Sequence, residues 1–200
     1  MRSSSYAPQT AEALIETIPI SGNLDHFWKD LLELEENGEI IKTRFGTYGL
    51  PEKMGLVVGR FQLTSKGFGF VIPDNKGERP DVFIPPRALG GAMNNDRVMA
   101  RVESSSGGNK PEGEIIRIIT HANNKIVGIF HQSGDFGFVT PDDKRIGQDI
   151  YIMKRHFGGA KTNQKVVAEI TEWPVERRNA EGKIIEILGN VGDVGLEILS

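Results

Sequence analysis

The chain has 200 residues, a formal net charge of −3 at pH 7 and no cysteine. Its length allows one to three domains. The absence of cysteine excludes disulfides and thiolate metal sites and fits a reducing cytosol, and no apolar run approaches the ~18 residues of a membrane span, so we expect a cytoplasmic protein without a membrane partner. Residues 56–120 are the only net-basic segment, with nine basic and seven acidic side chains. Nucleic acid would then be held by stacking and a local basic face, not by a global field.

Two helices and a hairpin are predicted in the first 54 residues. A short helix runs over about residues 10–17 and is capped by its first residue, and a longer one, over residues 24–37, is capped by Asn23. The broad apolar face of the longer helix predicts that Trp28 is buried in a core. Residues 45–47 then indicate a hairpin turn.

The strand that organises the chain is Lys66-Gly67-Phe68-Gly69-Phe70-Val71. Side chains alternate along a strand, so Phe68 and Phe70 share one face while Gly69 and Val71 share the other. Two phenyl rings separated by glycine predict an open platform for stacking unpaired bases, each worth ~1–3 kcal/mol. The alternative is that these aromatics, like most aromatics in strands, belong to a core.

A second aromatic strand, Asp81-Val82-Phe83-Ile84, follows a loop of turn-forming residues at positions 73–80. The two strands can therefore pair as a hairpin, which would place Phe83 beside the first two rings. Three basic residues lie close in sequence and are candidates for contacting phosphate: Arg60, Lys66 and Arg87.

Both motifs occur a second time, at an offset of 68–69 residues. Phe68-Gly69-Phe70-Val71 matches Phe136-Gly137-Phe138-Val139, and Asp81-Val82-Phe83-Ile84 matches Asp149-Ile150-Tyr151-Ile152. Self-similarity over a whole domain predicts two copies of one fold. In the second copy Gly134-Asp135 replaces Lys66-Gly67, which should weaken phosphate attraction there. The expected strands of the first copy are 56–63, 67–72, 81–84, 97–103 and 113–119, and the last strand of the second copy is 181–188.

Lys-Gly-Phe-Gly-Phe-Val followed by Val-Phe-Ile resembles the two ribonucleoprotein motifs of cold-shock domains. Those domains are five-stranded barrels of the OB type that bind single strands. The family also carries an aromatic on its first strand, a place held here by Phe61 and, in the second copy, by Phe130. Its second motif usually ends in histidine, where this chain has Pro85, so one contact of the family is missing.

The fuller resemblance is to the N-terminal region of ribonuclease R, from the ribonuclease II/R family. Residues 31–44 and 48–51 resemble its winged helix. The family version has another helix upstream, so we expect residues 1–54 to be a truncated winged-helix domain. Residues 55–120 and 121–188 correspond to its two cold-shock domains, and 189–200 to a linker toward a catalytic domain absent from this chain. The expected fold class is mainly β: two tandem five-stranded OB/cold-shock barrels preceded by a small winged-helix segment.

The resemblance also implies a function. Members of the family are processive 3′→5′ exoribonucleases whose cold-shock barrels help to select and feed the strand, and whose catalytic domain holds magnesium with clustered carboxylates. We therefore expect RNA binding without hydrolysis by this chain, and no cofactor in it. The expected partners are single-stranded RNA and structured RNA with a 3′ overhang, with contacts to the ribosome or the decay machinery as a further expectation.

The site predicted by motif and resemblance is an RNA-binding surface with no catalytic or metal-ligating residue. Its members are Phe61, Lys66, Phe68, Phe70, Phe83, Arg60, Arg87, Phe130, Phe136, Phe138 and Tyr151. Two other functions stay open at this point: a stand-alone RNA chaperone built from two cold-shock barrels, and a protein-interaction scaffold, which the acidic N-terminal part would suit.

Overall fold

The computed structural model describes residues 7–18, 23–75, 77, 79–103, 111–175 and 178–192. They form a small helical module followed by two five-stranded β structures, which confirms the predicted mainly β fold with tandem OB-type domains. Neither helix within these ranges has the length and apolarity needed to cross a bilayer. Residues 193–200, most of the predicted linker, lie outside the described residues.

The N-terminal module contains two helices and a short hairpin, in the predicted order. The elements are α1 (Ala11–Thr17), α2 (Leu24–Glu36), β1 (Ile41–Lys42) and β2 (Tyr48–Gly49). Both predicted caps are present, because the Thr10 hydroxyl accepts a hydrogen bond from the Ala13 N–H and the Asn23 side chain accepts one from the Asp25 N–H. The assignment of these elements to a winged helix stays a prediction.

The core of this module is small and leaves part of α2 uncovered. Ala11, Leu31 and Tyr48 are buried, and Leu14 and Phe27 pack against them. The prediction that Trp28 is buried is wrong, since its side chain is 42% exposed. A module with two helices and a two-stranded hairpin covers only one side of α2, so the apolar face that the sequence pattern shows is wider than the core that receives it.

The first β domain is an antiparallel five-stranded sheet in the order β5-β4-β3-β6-β7. The strands are β3 (Leu56–Leu63), β4 (Gly69–Pro73), β5 (Val82–Ile84), β6 (Arg97–Val102) and β7 (Gly113–Thr120). The sheet curls into a partly closed barrel, called the first barrel below. The Phe83 N–H donates to the Pro111 carbonyl at 2.8 Å, and a parallel bridge joins Phe83 to Glu112. The residues inside it include Val57, Phe61, Val71, Ile84, Val98 and Ile115.

The second β domain is a closed barrel with the same connectivity as the first. Its strands are β8 (Lys125–Ser133), β9 (Phe136–Pro141), β10 (Ile150–Met153), β11 (Gln164–Glu172) and β12 (Glu181–Asn190). Parallel pairing of β10 with β12 closes the ring. The last strand extends two residues beyond its predicted end at 188. The barrel is filled by side chains that include Ile126, Phe130, Val139, Ile152, Val166 and Ile184.

Arg97 joins the helical module to the first barrel. Its guanidinium donates to the Asn37 carbonyl, at the end of α2, at 2.6 Å, and it pairs with the Asp74 carboxylate at 2.7 Å. The neighbouring Gly38 is buried with a φ of 72°, a left-handed conformation that favours glycine. The chain can therefore leave the helix and turn back against the barrel within one residue.

A second joint connects the two barrels. The buried Asp96 carboxylate accepts from the Ala122 N–H at 2.9 Å and lies 3.0 Å from His121 Nδ1. The His121 ring in turn stacks on Trp173 of the second barrel, with 3.5 Å between centroids and 5° between ring planes. Met93, which comes from the first domain, is fully buried in the core cluster of the second. The two domains therefore pack directly against each other through these side chains.

Candidate nucleic-acid interface

Three phenyl rings form a cluster on the outer face of the first barrel. We call Phe68, Phe70 and Phe83 the first platform. Their ring centroids are 5.9 Å apart for Phe68 and Phe70, 5.6 Å for Phe68 and Phe83, and 5.8 Å for Phe70 and Phe83. All three rings are half-buried and none belongs to the core cluster of the barrel. The hairpin prediction therefore placed Phe83 correctly beside the other two rings.

Strand register brings these rings together. Gln62 of β3 lies opposite Phe70 of β4, which lies opposite Phe83 of β5. Residues opposite one another across a sheet point to the same face, so the three side chains form one row on the outside of the barrel. Phe68 precedes β4 by one residue and extends the row, which gives a continuous aromatic surface.

Gly69 has a role on the inner face that the sequence did not reveal. A Cβ at this position would collide with the Phe61 ring, and a Cβ at Gly137 would collide with the Phe130 ring in the same way. The glycine between the two outer phenyl residues thus makes room for an inner phenyl ring. The Phe-Gly-Phe pattern therefore serves both faces of the strand. The two phenyl rings lie on the outer face, and the glycine leaves a notch on the inner face for a ring of the core.

The prediction that Phe61 and Phe130 bind RNA is wrong. Both side chains are fully buried, with no exposed surface. Phe61 lies opposite Val71 in the ladder, so it points inward with that residue and with Gly69. The family resemblance placed an aromatic on this strand correctly but assigned it to the wrong face.

Basic side chains lie around the first platform but are not equally available. Arg60 and Lys66 are exposed, and neither forms an ion pair with another described residue. Arg87 is exposed and lies 3.1 Å from the Glu112 carboxylate. Glu112 is bridged to Phe83, so this ion pair stands at the edge of the platform. The first platform therefore has two cations that are open to a phosphate and one that is shared with a carboxylate.

The second barrel repeats the cluster at equivalent positions. We call Phe136, Phe138 and Tyr151 the second platform. The centroids are 5.5 Å apart for Phe136 and Phe138 and 5.8 Å for each of these rings and Tyr151. Phe136 is 37% exposed, and the other two rings are half-buried. Both copies thus present three aromatic rings on the same strands.

The charges beside the second platform differ from those beside the first. Asp135, which precedes the first ring of the platform, lies 2.7 Å from the Lys154 ammonium. That hydrogen bond, and then the charge of Lys154, hold the pKa of Asp135 below its ordinary value. The carboxylate therefore stays ionised and pairs with the Lys154 ammonium. The weaker phosphate attraction expected of this copy stays a prediction.

Three neighbours of the rings were not predicted as site residues. Gln62 faces Phe70, and the exposed His131 faces Phe138 at the equivalent place in the second barrel. Lys154 follows β10 and is held by Asp135. These residues can be recognised as neighbours of the rings only from the strand register, and the register becomes known only once the strand pairing is established.

The described residues do not offer a metal centre. Within the described ranges no three His, Cys, Asp or Glu side chains come together to hold an ion. Of the aspartates in turn-rich loops, Asp142 pairs with Lys165 at 2.9 Å and Asp143 pairs with Arg145 at 2.9 Å. These carboxylates are used in local structure, so the part of the chain that is described does not fit the clustered carboxylates of a magnesium site.

Two joined barrels of the OB type, each with an outward row of aromatic rings, define a tandem OB/cold-shock protein. Comparison with protein families agrees, since the Ribonuclease B OB domain matches residues 59–118 and the Cold shock domain matches residues 138–200. Ribonuclease R of Thermotoga maritima is 35% identical over 171 residues, which is 84% of this chain and 23% of that protein. Ribonuclease R of Vibrio parahaemolyticus is 31% identical over 193 residues, 95% of this chain and 23% of that protein. The chain belongs to the ribonuclease R family.

The chain spans about a quarter of the length of each of these two relatives. Solved structures support the fold. Yeast Ssd1, a pseudonuclease, superimposes with a TM-score of 0.62 at 16% identity, covering 74% of this chain and 25% of that one. RNase R of Mycoplasma genitalium, in complex with ribose methylated single-stranded RNA, gives a TM-score of 0.61 at 19% identity, covering 68% of this chain and 22% of that one.

Proposed function

We propose that this chain is the single-stranded RNA-binding and strand-guiding region of a ribonuclease R-like 3′→5′ exoribonuclease that acts in the cytoplasm. The observation that carries the proposal is the presence of two outward aromatic platforms, one on each barrel. Aromatic rings on an OB surface suit unpaired bases, because every base has a flat π face and stacking tolerates any sequence. The relative from Mycoplasma genitalium, whose fold this chain shares, was solved with single-stranded RNA.

In this proposal the two platforms have different roles. Bases stack on Phe68, Phe70 and Phe83, while Arg60 and Lys66 contact the phosphates between them. The second platform stacks bases with its own three rings but attracts phosphate less, because Asp135 competes for the nearby lysine. The first barrel therefore binds RNA with the higher affinity, and the second barrel guides the strand.

A binding titration against salt tests the proposal. Fluorescein-labelled oligouridine should bind the chain at low salt, and the logarithm of the binding constant should fall with the logarithm of salt concentration, by about 0.7 per neutralised phosphate on a single strand. A duplex of the same length is the control and should bind more weakly, since its bases are not free to stack. Absence of affinity at low salt would reject RNA binding and favour a protein-interaction scaffold.

Hydrolysis, in this proposal, belongs to a catalytic domain outside these 200 residues. The chain should leave a 3′-labelled RNA intact when it is incubated with Mg²⁺, since no three acidic or histidine side chains of the described residues come together to hold a metal ion. Clear trimming from the 3′ end by the pure chain would contradict this assignment. The binding assay tests RNA binding and the trimming assay tests the absence of hydrolysis, so the two parts of the proposal can be rejected separately.

A further inference from the structure

Helix α2 carries an apolar stripe that the fold leaves in solvent. Leu24, Trp28 and Leu32 recur every four residues, so they lie above one another on one face of the helix. They are 51%, 42% and 56% exposed, respectively. The small core of the module uses the adjacent face, through Phe27 and Leu31. Three large apolar side chains in a row, at more than one-third exposure each, are unusual on a helix that has no partner.

Trp28 is held in a defined position within the stripe. Its ring meets the Phe27 ring edge to face, with 5.6 Å between centroids and 75° between planes. Such a contact restricts the indole without covering it. An exposed tryptophan that is already ordered loses little conformational freedom on binding, which is the property of interface residues that contribute most to affinity.

The surroundings of the stripe are strongly acidic. Helices α1 and α2 together carry seven Asp and Glu side chains against the single Lys29. At ~100° per residue, Asp25 and Glu36 border the stripe, and Glu35 lies on the same face about one turn beyond Leu32. None of the carboxylates on the two helices forms an ion pair with another residue of the described ranges. The face therefore combines apolar contact area with a net negative charge.

This combination selects among the ligands that an apolar surface could take. RNA and anionic lipid would be repelled by the carboxylates. A second copy of the chain, paired stripe to stripe, would bring two acidic borders together. An amphipathic helix with Lys or Arg beside its apolar residues would bury the stripe and neutralise its borders at the same time.

We propose that the Leu24–Trp28–Leu32 face of α2 is a docking site for a basic amphipathic helix of a partner protein. The proposal goes beyond RNA binding and uses none of the residues of the two platforms. Trp28 provides the central apolar anchor, and Glu35 and Glu36 pair with the basic side chains of the partner. The site lies on the helical module, so a partner can occupy it while RNA occupies the barrels.

A designed peptide tests the site directly. The probe is a fluorescein-labelled peptide of about 18 residues, long enough for several helical turns, with Leu at i, i+3, i+4 and i+7 and Lys elsewhere. Fluorescence anisotropy should show binding to the 200-residue chain, and Trp28→Ser with Leu32→Ser should weaken it at least tenfold. Ile185→Ser is the matched control, because Ile185 is a similarly exposed residue, at 43%, on the second barrel. Glu35→Gln with Glu36→Gln should weaken binding and reduce its salt dependence.

Several results would overturn the proposal. They are equal binding of a sequence-scrambled peptide or of a peptide with Glu in place of Lys, absence of binding, or equal loss in the Ile185→Ser control. Loss of RNA affinity in the Trp28→Ser, Leu32→Ser variant would instead make the stripe part of the RNA surface. A dimer in sedimentation equilibrium that this variant abolishes would identify a second copy as the occupant. Far-UV circular dichroism ensures that each variant is folded.

Discussion

Replacing Phe70 by leucine removes the central ring of the first platform. Phe70 lies 5.9 Å from Phe68 and 5.8 Å from Phe83, so the change opens the middle of the aromatic surface. Leucine keeps apolar volume but has no flat π face for a base to stack on. Stacking of ~1–3 kcal/mol per base corresponds to a rise in Kd of about 5- to 150-fold.

The assay is fluorescence anisotropy of a labelled oligouridine of about 12 nucleotides, within the range of site sizes known for OB folds. Phe138→Leu is the matched change on the second platform and should raise Kd less, because that platform has fewer available cations. The double variant should lose most of the affinity. Phe45→Leu is the control, since Phe45 is 76% exposed but lies outside both platforms.

Stability must be followed in parallel, since each ring–ring contact contributes about 0.5–1.5 kcal/mol beyond its buried area. Thermal melts by circular dichroism establish that every variant is folded at the temperature of the binding assay. If the folded double variant binds oligouridine within a factor of two of the parent chain, the rings do not stack bases and the reasoning is refuted.

Three further predictions concern the inner notch at Gly69, the second platform and the Asp143–Arg145 ion pair. Gly69→Ala should destabilise the first barrel by ~1–3 kcal/mol in urea unfolding, because the new methyl group meets the Phe61 ring; an unchanged midpoint would contradict the notch. Asp135→Asn should tighten oligouridine binding at low salt and steepen its salt dependence, since Lys154 becomes available to phosphate; weaker binding would count against this role. The hydrogen bond and charge of Arg145 lower the pKa of Asp143, so the pair stabilises the fold above the ordinary carboxyl value of 3.8 and the contribution, ~0.2–1 kcal/mol for an exposed pair, is lost as the pH falls below it. The melting temperature of Asp143→Asn should therefore decline less than that of the parent between about pH 5 and pH 3. Equal declines in the two proteins would show that the ion pair does not contribute to the stability of the fold.

The strand bounds of the first barrel, and those of the last strand of the second, could be predicted from the sequence to within two residues. The predicted range of β3, residues 56–63, equals the observed one, and the internal repeat located the aromatic motif of the second copy from that of the first. The outer rings of the platforms share a strand, so alternation alone places Phe68 and Phe70 on one face.

Other features depended on contacts that no local pattern contains. The face occupied by Phe61 is set by the register between β3 and β4, and a shift of one residue would have turned it outward. The exposure of Trp28 depends on how many elements pack around α2, which helical periodicity does not reveal. The pairing of Asp135 with Lys154 joins residues on either side of a hairpin, so it appears only after the strands are aligned.

The stack of His121 on Trp173 and the buried Asp96 keep the two barrels side by side. In the proposed function, an RNA strand that is long enough to reach both platforms would gain its second set of contacts as an intramolecular event, at a high effective concentration. The binding constant should thus rise abruptly at one oligonucleotide length. In the Trp173→Ala variant this rise should be more gradual, while the affinity for short oligonucleotides should be unchanged. The oligonucleotide length at which affinity rises would then report the distance between the two platforms, which the joint holds constant.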